Sequence, residues 1–226
     1  MTTIAENLQA VKARIGRAAS AVGRDPARVT LLAVSKTHSS ERVAQARDAG
    51  QPAFGENYVQ EALEKIAALP GLEWHLIGPL QSNKTRAAAA HFSWVQTVQS
   101  EKIARRLSEQ RPAGLAPLNV LIQVNASGEA SKSGVAAAEV APLARAVSAL
   151  PHLRLRGLMA IPEPGAPASR YRAMASLFNN LKDEFYFDTL SMGMSDDLEL
   201  AIAEGANLVR VGTAIFGIRN KEKTAA

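Results

Sequence analysis

The chain has 226 residues and no cysteine; 47% are apolar, 21% charged and 5% aromatic. That length allows one large domain or two small ones with a sizeable core, and the composition excludes a disordered, collagen-like or coiled-coil chain. The absence of cysteine excludes a disulfide framework, a thiolate metal site and a cysteine nucleophile, while a net charge of +5 spread over many segments suits small anionic ligands and argues against nucleic acid.

The N-terminus, MTTIAENLQAVKARIGRAAS, lacks the apolar core of a signal peptide. No apolar stretch reaches the roughly 18 residues of a membrane span, so the expectation is a cytoplasmic protein with no membrane partner. Ile4, Leu8, Val11 and Ile15 recur at helical spacing behind Thr3 and Glu6, which form a capping box, so residues 3–21 read as an amphipathic helix ending near Gly23. VTLLAV (29–34) is a strand, and SKTHSS connects it to a helical pattern over 41–49 closed by Gly50.

The same order then returns. A short strand at 52–54 precedes GEN and a helix over 58–68, and WHLIG (74–78) precedes one over 83–90. WVQTV (94–98) precedes a helix opened by Ser100; NVLIQV (119–124) leads through NASGEASKSG to a helix over 136–149. RLRGLMA (154–160) leads through a proline-rich loop to a helix over 169–184, DTLSMG (188–193) to one over 196–204, and NLVRVG (207–212) to a short turn at 213–217. Strands alternating with helices pair in parallel, and eight such units predict an α/β fold, a single (β/α)8 TIM barrel with an extra N-terminal helix. An open doubly wound sheet is the alternative that the same alternation permits. No shift in composition marks a boundary, so residues 1–226 read as one domain.

In such a barrel the active site lies at the C-terminal ends of the strands, with phosphate often held after strands seven and eight. Lys36 ends strand one on the face of Thr30, Leu32 and Val34. Partial desolvation there lowers an amine's pKa and favours the neutral form that attacks a carbonyl to make a Schiff base; the plain alternative is a lysine snorkelling to solvent. After strand seven, SMGMSDDLE offers Gly193, the hydroxyls of Ser191 and Ser195 and a helix start, which suit a phosphate dianion. Ser195 is equally a natural N-cap, and Asp196 and Asp197 weaken an anion site unless they point outward. After strand eight, RVGTAIFG gives close backbone approach at Gly212 and an N–H and hydroxyl at Thr213. Arg210 shares the face of Gly212 and points toward the same mouth, or forms an ion pair inside the barrel with Glu56. A strand-one lysine facing two phosphate-suited loops is what pyridoxal phosphate needs.

The stretches AVSK, FGENYVQE, WHLIGPLQSNK, QVNASGEASKSGV, GLMAI, LSMGMSDDLELAI and VRVGTAIFG run from Val29 to Gly217. Through them the chain resembles the pyridoxal phosphate homeostasis proteins, which are similar in their barrel to the N-terminal domain of alanine racemase. The resemblance implies a Schiff base at Lys36, cofactor phosphate held by Ser195, Gly212 and Thr213, and Arg210 near the pyridine nitrogen. It places Asn57 and His75 in motifs that face the cofactor, although a hydrogen-bonded core histidine is an equal reading of His75. The prolines of GLMAIPEPGAP and the segment EFYFDTL depart from the family pattern.

A two-base racemase needs a second proton-transferring group on the face opposite the lysine. The chain continues only through the tail RNKEKTAA after Ile218, read as solvated, which leaves no room for a domain to supply one. An arginine at the ring nitrogen, being a donor only, disfavours a protonated ring and so weakens the electron sink. The first reading, as the resemblance implies, is therefore a non-catalytic carrier that buffers pyridoxal phosphate and delivers it to apo-enzymes that depend on it, and the resemblance also suggests a monomer. A low-activity amino-acid racemase is the second reading. The third is a direct Schiff base between Lys36 and a phosphorylated sugar. Lys132 is either a second, transient cofactor amine near the mouth or a solvated loop lysine.

Overall fold

A computed structural model describes residues 2–129 and 132–217. The strands are β1 (Thr30–Val34), β2 (Ala53–Glu56), β3 (Glu73–Leu76), β4 (Trp94–Val98), β5 (Leu118–Val124), β6 (Leu153–Ala160), β7 (Thr189–Ser191) and β8 (Leu208–Val211). Each pairs in parallel with the next, and β8 returns to β1, with Thr30 opposite Leu208 and Ala33 opposite Val211. That closing pair realises the expected TIM barrel and excludes the open sheet. Around it lie α1 (Ile4–Ala21), α2 (Ser40–Asp48), α3 (Val59–Ala68), α4 (Thr85–His91), α5 (Glu101–Gln110), α6 (Ala137–Ser148), α7 (Ala168–Phe185), α8 (Leu198–Ala203) and α9 (Thr213–Phe216). The tail read as solvated lies outside the described residues.

Strand alternation sorts the side chains between two cores. Leu31, Ala33, Phe54, Val95 and Val209 face the helices and join the main core. Leu32, Val34, Ala53, Ile77 and Leu208 pack together inside the barrel, and Trp94, Leu121 and Met159 form a second interior group. Several boundaries shift by one or two residues from the sequence reading, and two of the shifts bear on the site. β2 runs on to Glu56, because Gly55 is a strand residue: a Cβ there would stand 3.1 Å from both Ile77 and Leu32. α8 begins at Leu198, since Asp197 is its N-cap and turns its carboxylate back to accept the Met194 N–H. Ser195 therefore lies in the loop and does not cap the helix.

The extra helix braces the mouth of the barrel. Thr3 and Glu6 form the capping box, and Ile4, Leu8, Val11, Ile15 and Ala19 are buried. On the flank of that stripe Asn7 donates to the Ile215 carbonyl at 3.0 Å, and Arg14 donates to the Ser195 carbonyl at 2.9 Å while clasping Glu199. α1 thus holds the loops that follow β7 and β8.

A second brace lies outside the barrel, behind the end of β1. Glu56 and Lys65, 0% and 4% exposed, form an ion pair at 2.7 Å. The same ammonium donates to Glu61 at 2.7 Å and to the Ser35 carbonyl at 2.8 Å, so all three of its donors are engaged. Glu56 also accepts the Ser35 hydroxyl at 2.6 Å, and Glu61 accepts the Thr37 N–H. Thr37 sits at φ 64°, a left-handed conformation that a β-branched residue seldom adopts. Both neighbours of Lys36 are thereby held from behind, and its side chain is left to point inward. Burial pushes the Glu56 carboxyl up, while Lys65 and the Ser35 hydroxyl pull against it.

Removing one partner of such a pair leaves a bare buried charge. Lys65→Met is expected to destabilise the fold by about 3–5 kcal/mol, whereas Lys65→Met combined with Glu56→Leu recovers most of that loss. Urea unfolding of the two variants checks this; a double variant no more stable than the single one contradicts the pairing.

Candidate functional site

The C-terminal ends of the strands enclose a cavity of about 230 Å³. Because Leu32 and Val34 face inward, strand parity carries Lys36 to its wall from β1. Ser195, Gly212 and Thr213 line it from the loops after β7 and β8. The Ala214 N–H donates to the Ser195 hydroxyl at 3.4 Å, joining those two loops. Gly193 makes the turn possible: its φ is 93°, and a Cβ would stand 2.5 Å from that of Ala201. Asn57 lines the wall beside Gly78, where a Cβ would fall 2.1 Å from the Asn57 carbonyl oxygen. The Asn57 Oδ1 is buried with no hydrogen-bond partner, a polar atom that a ligand donor would satisfy.

Arg210 closes the floor. It is 3% exposed, and it donates to the Ser191 hydroxyl at 2.7 Å and to the Ala160 carbonyl at 2.8 Å. Burial pushes its guanidinium down to about 10, with Asp197 acting in the opposite direction from a distance. It is still a cation at neutral pH, and among the described residues it makes no ion pair. The ion pair with Glu56 weighed from the sequence does not form. Arg210 faces the barrel interior, whereas Glu56 faces the helices and is taken by Lys65.

His75 is absent from the cavity wall. It lies deeper in the barrel, 1% exposed and stacked on Trp94 with ring centroids 5.0 Å apart. Its Nε2 meets Glu73 and its Nδ1 meets Gln96, both at 2.8 Å. Burial holds the imidazole below its usual pKa, against the pull of Glu73, so it is neutral at pH 7. Ser191, weighed as an anion-binding hydroxyl, is likewise interior, bonded to both Gln96 and Arg210.

The structure thus brings Lys36, Asn57, Ser195, Arg210, Gly212 and Thr213 to one cavity and leaves His75 out. The sequence reading missed His38, which lines the wall and stacks on Phe216 at 4.9 Å. Its place two residues after Lys36, in the loop leaving β1, is the signal that marks it. Ile77, Ile161 and Met194 add apolar wall, and no motif distinguishes them from core residues. The two aspartates part company: Asp196 lines the cavity, while Asp197 turns to Met194 and the Tyr171 hydroxyl. Lys132 lines a neighbouring cavity of about 360 Å³ that shares Asn57, Ile77, Ile161 and Met194 with the first. Among the described residues no cluster of three or more His, Asp or Glu could hold a metal ion. The donor set can attack a carbonyl carbon from an amine, hold an oxyanion on hydroxyls and N–H groups, and offer a fixed cation to a hydrogen-bond acceptor.

The family model of the alanine racemase N-terminal domain matches residues 6–220. The pyridoxal phosphate homeostasis protein of Pseudomonas aeruginosa is 62% identical over 224 residues, 97% of each chain. The protein of the same name from Escherichia coli K12 is 55% identical and covers 99% of this chain and all of its own. Among solved structures, PipY of Synechococcus elongatus PCC7942 with PLP bound aligns with a TM-score of 0.82 at 36% identity, over 95% of this chain and all of that one. Alanine racemase of Bacillus anthracis aligns over 95% of this chain but 57% of its own, with a TM-score of 0.67 at 18% identity, which shows the shared barrel alone. Matched almost end to end by these relatives, the chain belongs to the pyridoxal phosphate homeostasis protein family.

Proposed function

We propose that the protein binds pyridoxal 5'-phosphate in this cavity, linked covalently to Lys36, and serves intracellular cofactor homeostasis by buffering the cofactor and delivering it to apo-enzymes. The observation that carries the reading is the cavity itself: an inward lysine amine, an anion cradle at Ser195, Gly212 and Thr213, and a buried Arg210 share one wall. The relatives' name and the PLP-bound PipY structure support it. The cofactor would supply an aldehyde carbon that condenses with the Lys36 amine, releasing water, together with a phosphate dianion and a ring nitrogen.

The chain's own residues do the rest. Ser195 and Thr213 offer hydroxyls, and the Thr213 N–H offers a further donor to the phosphate; the Ala214 N–H is given to Ser195, and those of Ile215 and Phe216 to the Gly212 carbonyl. Arg14 anchors that cradle through the Ser195 carbonyl. Asp196 opposes an anion and limits how tightly it is held, which a protein that must release its cargo tolerates. Arg210 would present N–H to the ring nitrogen and disfavour its protonation, which would make the bound ring a poor electron sink. Among the described residues no helix is long and apolar enough to cross a membrane. A cytoplasmic monomer accords with this reading. Racemase activity would need a second proton-transferring group, and His38 and Asp196 are the wall residues with that chemistry.

Purified protein mixed with pyridoxal phosphate is expected to show a visible absorption band, and borohydride is expected to fix the label at Lys36; Lys36→Ala abolishes both. No band in the wild type would remove the cofactor from this cavity and favour a sugar phosphate on Lys36. Arg14→Ala, which frees the Ser195 loop without touching the cavity, should weaken cofactor binding by up to about tenfold while Lys36 labelling persists at saturation. Incubation of the loaded protein with amino acids in deuterated water is expected to show no exchange of the α-proton, and exchange that depends on Lys36 would establish the racemase.

A further inference from the structure

Arg210 is the end of a line of buried polar groups that spans the barrel interior. It donates to the Ser191 hydroxyl at 2.7 Å, and Ser191 donates to the Gln96 Oε1 at 2.7 Å. The Gln96 Nε2 meets the His75 Nδ1, and the His75 Nε2 meets Glu73, each at 2.8 Å. Ser191, Gln96 and His75 are buried, while the Glu73 side chain is 48% exposed at the N-terminal start of β3. The line therefore joins the cavity floor to the opposite face of the barrel.

Its two ends fix its direction. A guanidinium only donates and a carboxylate only accepts. Between them, the hydroxyl, the amide and a neutral imidazole each present one donor and one acceptor to the line. One assignment satisfies every contact: Arg210 to Ser191 to Gln96 to His75 to Glu73, with the imidazole proton on Nε2. If the amide were reversed, the serine hydroxyl would face two donors and the His75 Nδ1 would have to carry a proton. Its Nε2 lone pair would then face a carboxylate, or the ring would become a buried imidazolium.

We propose that Ser191, Gln96 and His75 are positioning residues for Arg210. Through this one-way line they hold the guanidinium with its remaining N–H groups toward the cavity, and they tie its charge to Glu73 at the far face. This rests on the reading of the cavity as a pyridoxal phosphate site, where Arg210 meets the ring nitrogen. The line explains why three strands place polar side chains in an interior that branched apolar residues ordinarily fill. It also supplies Arg210 with partners that keep it from turning toward Asp196, so that its position does not depend on a ligand.

Two measurements test it. Nitrogen-15 spectra of the apo protein, with His75 assigned through His75→Gln, are expected to show a neutral ring protonated at Nε2. Ser191→Ala, two hydrogen bonds away, should shift the His75 Nδ1 resonance by releasing the Gln96 amide. A His75 ring protonated at Nδ1 in the wild type, or a resonance unmoved in Ser191→Ala, overturns the line without any cofactor. In the second arm, Ser191→Ala and Gln96→Met are expected to keep borohydride labelling at Lys36. Their visible band should move in wavelength, and their pyridoxal phosphate affinity should fall about tenfold, as for the loss of one hydrogen bond to a charged group. Ser191→Thr should restore both. Wild-type band position and affinity in Ser191→Ala would show that Arg210 is placed without the line. Absence of any label in the wild type would instead condemn the cofactor reading and leave the first arm to decide the line.

Discussion

A permanent cation buried with no ion pair among the described residues constrains the whole interior of this barrel. Arg210 cannot shed its charge at physiological pH, and an unpaired charge in a dry interior is destabilising by several kcal/mol unless hydrogen bonds replace its water. The Ala160 carbonyl and the Ser191 hydroxyl are that replacement, and each then requires its own support. Ser191 must give its proton away, which calls for Gln96; Gln96 must give away an amide proton, which calls for a neutral histidine. Polar choices on β3, β4 and β7 thus follow in sequence from one residue on β8.

The barrel wall separates this arrangement from a second one of opposite logic. On the outer side Lys65 is neutralised locally by Glu56 and Glu61 and serves only to fix the backbone around residue 36. On the inner side Lys36 and Arg210 face a shared cavity that Asp196 also lines. Lys65 outside therefore stiffens the fold, while the two cations inside line the cavity. Alternation along β1 and β2 does the sorting. Ser35 and Glu56 go out, Lys36 and Asn57 go in, and a one-residue slip of either strand would exchange structural for binding groups.

The fold was legible because its signal is repetitive. Eight alternations of an apolar strand with an amphipathic helix survive errors of two or three residues at any boundary, and Lys36, Ser195, Arg210, Gly212 and Thr213 could be placed by strand parity and by their position after β1, β7 and β8. What was not legible depends on depth or on distant partners. GEN after Phe54 reads as a turn, because nothing local shows that Gly55 is needed where Ile77 and Leu32 crowd the interior. Glu56 and Arg210 looked like a pair because opposite charges near one strand end invite it. Their strands point them to opposite sides of the wall. His75 shares a motif with cavity residues, yet two positions along a strand move a side chain a full layer down, so motif membership did not convey depth. His38 lay outside the motif grammar altogether, as loop residues do when only the backbone path brings them to a wall.

Holding a cofactor and using it place different demands on one cavity. A covalent bond to a lysine and a phosphate cradle hold the ligand whatever the charge on its ring, whereas catalysis requires groups that bind a developing carbanion better than the ground state. On the proposed reading Arg210 would serve the first demand and oppose the second, since a donor fixed toward a ring nitrogen favours the uncharged ring. The depth of its support matters here. Were Arg210 loosely held, a carboxylate such as Asp196 could draw it aside and leave the ring nitrogen free to take a proton. A guanidinium anchored across the barrel interior denies that option, so on the proposed reading the same anchoring that stabilises a buried charge would keep a bound cofactor chemically quiet.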